Sequence, residues 1–219
     1  MKPGEGITCR ASVRAEALRG PWFLGFRGWP SRPRPRDGPT GRDGDTWSGV
    51  AACGVDDGAV TNISDTHVKV HFRLDVDEDG WPPAGVESLW AVRLGDGTVR
   101  LDNTPWFVRG VACGDIVGVE LEDDGVLYAR ETVQPSGNCT IRLIVLRDEG
   151  SAAARQTVLD SFHRLGATGE GLQHFRMVAL DVPPEADLPE IRKLLEHGAA
   201  QEWWQWEEGC VTSAWQKAL

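Results

Sequence analysis

The sequence predicts a mixed α+β fold, and three changes of rhythm along the chain carry that expectation. Polar–apolar alternation of period two sets in at residue 67, a helical apolar period appears after residue 150, and the stretch before residue 65 shows neither. With 219 residues and 41% hydrophobic content, the chain can build one large core or two small ones.

Residues 1–64 hold 6 of the 13 prolines and 11 of the 26 glycines, centred on the run from Pro30 to Pro39. Proline removes backbone donors and glycine raises the entropy of ordering, so the segment is expected to be a disordered Pro/Gly/Arg-rich leader. Two other readings fit it. The biological start could lie downstream, for instance at Val60, or the segment could be a tail that binds a partner through Trp22, Trp29 and Trp47.

From His67 to Leu74 the alternation is unbroken and places Val68, Val70, Phe72 and Leu74 inward. A loop containing Pro82 and Pro83 leads to a strand over residues 87–94, which the turn Gly95-Asp96-Gly97 returns through residues 98–101. A second hairpin joins residues 116–122 to 126–133 around Asp123-Asp124-Gly125. Five short strands with glycine turns predict a small antiparallel β-barrel-like sheet over residues 65–137.

After Ser136-Gly137 the pattern changes. Thr140 to Leu146 reads as a buried strand, Ser151 as the N-cap of a helix that Gly166 ends, and residues 168–172 and 173–182 as a pair of strands. Asp187-Leu188-Pro189-Glu190 opens a second helix that Gly198 stops, and residues 209–215 are expected to form the last strand. That order is β-α-β-β-α-β, the order of a ferredoxin-like unit, here spanning residues 138–219.

Charge narrows the partners. Residues 65–219 carry 26 Asp/Glu against 14 Lys/Arg in a chain of net charge −10, so nucleic acid is not expected and a basic protein partner is. No apolar run approaches membrane-spanning length or a signal-peptide core, which predicts no membrane association and a cytoplasmic location. The five cysteines form no C-x-x-C pair, so neither a disulfide framework nor a zinc site is expected, and Cys113 and Cys139 read as core residues. Asn62 and Asn138 open glycosylation patterns that matter only in a secreted chain. The sequence calls for no cofactor: Walker, G-x-G-x-x-G and G-x-S-x-G motifs do not occur in it.

Two constellations are candidates for function. Asp102, Asn103, Trp106 and Asp115 lie in a dense loop. They read either as a structural corner, built on carboxylate-to-backbone bonds, or as a pocket in which Asp102 and Asp115 do acid–base work. Near the carboxyl end, Trp203, Trp204 and Trp206 precede Glu207 and Glu208. Three tryptophans within four residues cannot all face one core, so at least one is expected to be partly exposed, as in an interface that meets a basic partner. The alternative is a tryptophan-rich edge that covers the sheet. His67 and His71 stand four apart on a strand, about 13 Å, too far to share one metal ion.

Residues 67 to about 215 resemble domain-of-unknown-function family 4265. The resemblance rests on Leu89-Trp90-Ala91, on Leu101 through Phe107, on Gly114-Asp115-Ile116-Val117, and on Ser136-Gly137 leading to Thr140-Ile141-Arg142. The family tends to show Asp-Asn-x-Pro-Phe; here Trp106 stands at that Phe and Phe107 follows. The resemblance implies an uncharacterised bacterial protein and brings no catalytic role with it. The expected function is therefore a non-enzymatic binding or regulatory module that meets a protein partner through its acidic, tryptophan-rich carboxyl-terminal half. Alternatives are an immunity- or inhibitor-type protein against a basic partner, which a likeness of the Trp-Glu-Glu end to ferredoxin-like ribonuclease inhibitors suggests, or an enzyme or ligand binder at the Asp102–Asp115 loop.

Overall fold

The computed structural model describes residues 66–218, so the readings of the leader and of the start at Val60 lie outside the described residues. The alternating stretches become strands β1 (His67–Arg73), β2 (Val86–Gly95), β3 (Thr98–Leu101), β4 (Ile116–Leu121) and β5 (Leu127–Gln134). They close into a five-stranded barrel in sequence order. Consecutive strands pair antiparallel, and Val70, Leu89, Ala91, Val99, Leu101 and Val117 fill the interior. The seam departs from the all-antiparallel expectation: β1 meets β5 in parallel, at the single pair His71–Tyr128. An odd number of strands joined by hairpins brings the first and last together pointing the same way.

The second layer is β6 (Cys139–Val145), α1 (Ala152–His163), β7 (Thr168–Leu172), β8 (Met177–Val182), α2 (Leu188–Ala200), β9 (Trp204–Cys210) and a short α3 (Ser213–Lys217). Its strands form an antiparallel sheet in the order β7-β8-β6-β9. Ser151 and Asp187 cap α1 and α2 as their side chains require, accepting from Ala154 and Glu190 N–H. Ile141, Leu143, Val178, Leu180, Phe162, Ile191 and Leu195 make the core between sheet and helices.

Three boundaries differ from those the pattern predicts. The expected strand over 173–182 is a 3₁₀ turn at Gln173–Phe175 followed by β8, with Arg176 left-handed at φ 54° between them. Gly198 lies inside α2, because any Cβ there would come within 2.0 Å of the Trp204 indole. The last strand falls on the tryptophan run, Trp204–Cys210, so only Gly209 and Cys210 of the expected 209–215 strand are in it, and residues 213–215 open α3, which Thr212 caps. Aromatic side chains fit a pleated, half-buried surface, and that preference places the strand on the tryptophan run.

Candidate functional site

Glu87 occupies an inward slot of β2, where parity calls for an apolar residue, yet it is buried. Its carboxylate accepts three main-chain N–H groups in succession, Trp106 at 2.6 Å, Phe107 at 2.9 Å and Val108 at 2.7 Å. One buried anion thus folds the loop after β3 across the end of the barrel. The signal in the sequence was a charge in a strand position reserved for core, which reads as noise until the loop is seen to wrap it.

The four residues of the candidate pocket sit around that loop with separate tasks. The Asn103 carbonyl oxygen accepts Trp90 N–H at 2.8 Å, and Asp102 meets His67 Nε2 at 3.2 Å. Asp115, 1% exposed, accepts from Ala112 N–H and from both the N–H and hydroxyl of Ser136. Trp106 is half-buried, and its carbonyl accepts from Arg142 at 2.9 Å. Each carboxylate has partners of its own: Asp102 faces His67, whereas Asp115 acts on Asp181 across the link between the layers.

That link is a polar chain. Ser136, bound to Asp115, accepts Asn138 N–H through its hydroxyl, and the Asn138 amide donates to both oxygens of Asp181 at 2.9 and 3.1 Å. Burial pushes the Asp115 carboxyl up and drives Asp181 up to about 6 against the opposing Asn138 bond. The glycosylation pattern at Asn138 is committed to this network, with Thr140 fully buried and donating to Val111 O. Cys139 is a free buried thiol, raised by burial. Cys113 and Cys210 are each engaged in a disulfide, so Cys113 is in the core as expected but not as a thiol, and the expectation that the cysteines form no disulfide framework is corrected. Spacing along the chain could not reveal it, because the two cysteine segments approach only in three dimensions, where Gly110 N–H reaches Gly209 O at 2.9 Å.

The barrel meets the sheet on the face away from the helices. Arg142, 3% exposed at mid-β6, bridges the layers: it donates to Trp106 O, while Glu207 Oε1 lies 2.9 Å from its Nε. That oxygen is off the N–H direction, so the attraction is coulombic, and burial lowers the Arg142 pKa despite it. Glu207 also pairs with Arg109 of the barrel loop. Beside them Trp81, Phe107 and Phe175 stack edge to face at 5.6–6.1 Å, one ring from each of three loops. The recess beneath Trp81, bounded by Arg142, Met177 and Gln205, has about 20 Å³, room for one water.

The tryptophan run divides by depth, with Trp204 and Trp206 at positions of one parity in β9 and Trp203 just before the strand. Trp204 is buried against Phe162, its indole N–H on Leu195 O at 3.1 Å. Trp203 and Trp206 are half-buried, Trp203 packed by His197 and Arg147, and Trp206 near Arg192. Glu208 accepts the Trp215 indole N–H at 2.9 Å and faces Arg192 at 3.5 Å. Both glutamates of the candidate interface therefore have partners within the molecule, and the half-buried tryptophans are Trp203, just before β9, and Trp206 within that edge strand.

Comparison with known proteins follows the same outline. The crystal structure described as "Novel crystal structure of a hypothetical protein from Neisseria gonorrhoeae" is similar at a TM-score of 0.53, with 20% sequence identity over 67% of this chain and 95% of that one, a likeness of fold alone. No curated protein matches. The profile of one family, described as Domain of unknown function (DUF4265), matches residues 87–206, which span β2 to the tryptophan run and include Glu87, the motif loop and Arg142. On that match over more than half its length, the chain belongs to the DUF4265 family.

Proposed function

We propose that this protein is a non-enzymatic module that binds a basic, extended segment of a protein partner along β9, in the manner of an inhibitor or regulator. The reading takes the second layer as a ferredoxin-like unit, supported by its β-α-β-β-α-β order and its β7-β8-β6-β9 arrangement. The observation that carries the proposal is that the outermost strand of that sheet bears two half-buried tryptophans, Trp203 just before it and Trp206 within it. Large aromatics that keep one face in water are the residues on which protein interfaces concentrate their energy. A basic partner is favoured because residues 66–218 carry 25 Asp/Glu against 14 Lys/Arg. An acid–base site is less supported, since Asp115 and Glu87 both hold main-chain donors. Cytoplasmic residence belongs to the same reading, and alkylation of freshly lysed cells, reporting whether Cys113 and Cys210 are thiols there, checks it.

The experiment is cross-linking in native lysate followed by mapping of the linked residues, on the parent chain and on a Trp203→Ala, Trp206→Ala variant. Cross-links concentrated on residues 201–208 and lost in the variant are expected. Equal recovery of partners by both proteins, or links that cluster elsewhere, sinks the reading. Trp204 is left untouched because it is core.

A further inference from the structure

The barrel seam is built unlike the rest of the barrel. β1 and β5 meet at one residue pair, and among the described residues β5 beyond Tyr128 pairs only with β4. Where the two strands part, a groove of about 420 Å³ opens, within the range of peptide and small-ligand sites and some twentyfold larger than the recess under Trp81. At its base lie Phe72 and Val111, core residues each 7% exposed, with the partly buried Ala129. Its rim is cationic: Arg73, Arg109 and Arg130 are three of the six basic residues between positions 66 and 137, a stretch that also holds 13 Asp/Glu.

Those arginines are oriented but not exhausted. Arg73 lies over the Tyr128 ring at 4.0 Å and pairs with Glu122, Arg130 pairs with Glu120 and Glu122, and Arg109 with Glu207. Each guanidinium has five N–H donors and remains about half exposed, 43–56%, so donors are left for a ligand. A bulge in β5, where Arg130 and Glu131 face Gly118, turns both side chains outward and leaves main-chain groups along the groove.

We propose that this seam groove is a second binding site, for an extended peptide segment that alternates acidic and apolar side chains. The peptide's main chain would pair with the free side of β5, its apolar side chains would fill the floor, and its carboxylates would meet the arginine rim. Single carboxylates fit better than a polyphosphate, because Glu120 and Glu122 pair with the rim arginines and Asp124 acts on Arg73, so dense negative charge is repelled. The groove touches β9 at Arg109–Glu207 and at Gly110–Gly209, but its argument does not depend on the proposal made for Trp203 and Trp206.

The test is an NMR titration of the isotope-labelled full chain with a capped (Glu-Val)₃ peptide, with (Lys-Val)₃ and inorganic phosphate as comparison probes. Saturable shifts of the Phe72 and Ala129–Thr132 amides by the acidic peptide are expected, weakened about tenfold in an Arg73→Gln, Arg130→Gln variant and retained in Trp203→Ala, Trp206→Ala. Silence at those amides, equal binding of the lysine peptide, or equal displacement by phosphate overturns the proposal. Should the double variant lose its dispersed spectrum, Arg130→Gln alone, on an exposed side chain, replaces it, and an unchanged affinity then counts against the site.

Discussion

Glu87 shows how much one side chain can organise. A carboxylate bonded to three amides in a dry site is held by charge-assisted bonds, and its loss leaves those amides unsatisfied. Glu87→Ala is expected to lower unfolding free energy by roughly 3 kcal/mol or more, with Glu87→Gln costing less, as urea denaturation would report. Asp181 works in the opposite sense. Its carboxyl rises from 3.8 to about 6 on folding, so the folded protein holds that proton more tightly than the unfolded chain. The associated stability is complete below pH 3.8 and is lost as pH climbs through about 6. Asp181→Asn, neutral throughout, should therefore gain on the parent by on the order of 2 to 3 kcal/mol between pH 4 and pH 7.5. A constant difference between the two proteins across that range would refute the assignment.

At the scale of elements, packing against a neighbour decides where local preference is overruled. Alanine normally improves a helix interior over glycine by about 1 kcal/mol. In α2 the sign should reverse: Gly198→Ala drives a methyl into the Trp204 ring and is expected to cost about 2 kcal/mol or more in thermal or urea unfolding. The strands of the barrel were legible because alternation and glycine turns are local, and both helices because Ser151 and Asp187 announce their starts. The last strand was not, since three tryptophans read equally as loop, edge or core until Trp204 finds α1 and α2. The candidate site divides in the same way. Asp115 and Asn103 were visible as turn residues, but Glu87, Arg142 and the disulfide cysteines act across separations that leave no periodic trace.

For the whole molecule the question is whether the two layers unfold together. Their contact combines the Arg142–Glu207–Arg109 ion cluster with the ring trio of Trp81, Phe107 and Phe175. Phe107→Ala removes two edge-to-face contacts worth roughly 1 kcal/mol each beyond their burial. It should broaden or split the calorimetric transition; a single transition of unchanged width would mean that the polar cluster alone couples the layers. Arg142→Met asks the complementary question, because an apolar side chain of similar length in that dry slot relieves desolvation while leaving Glu207 its Arg109 partner. A change within about 1 kcal/mol is expected, against a much larger loss for Arg142→Ala.

The single-pair seam also determines how the barrel answers a mechanical load. Residues 1–65 run directly into β1, so traction on that part of the chain arrives at the first pair with β2, His67–Val92, and from there travels one pair at a time. On its other flank, among the described residues, β1 has one ladder pair with β5, His71–Tyr128, beside which only side chains such as Arg73 over the Tyr128 ring share the strain. The strand peels like a zipper instead of shearing as a block, and whatever pulls at the amino end reaches the seam pair His71–Tyr128 only after the pairs from His67–Val92 to Val70–Leu89 have parted, while the β2–β5 meander stays shut.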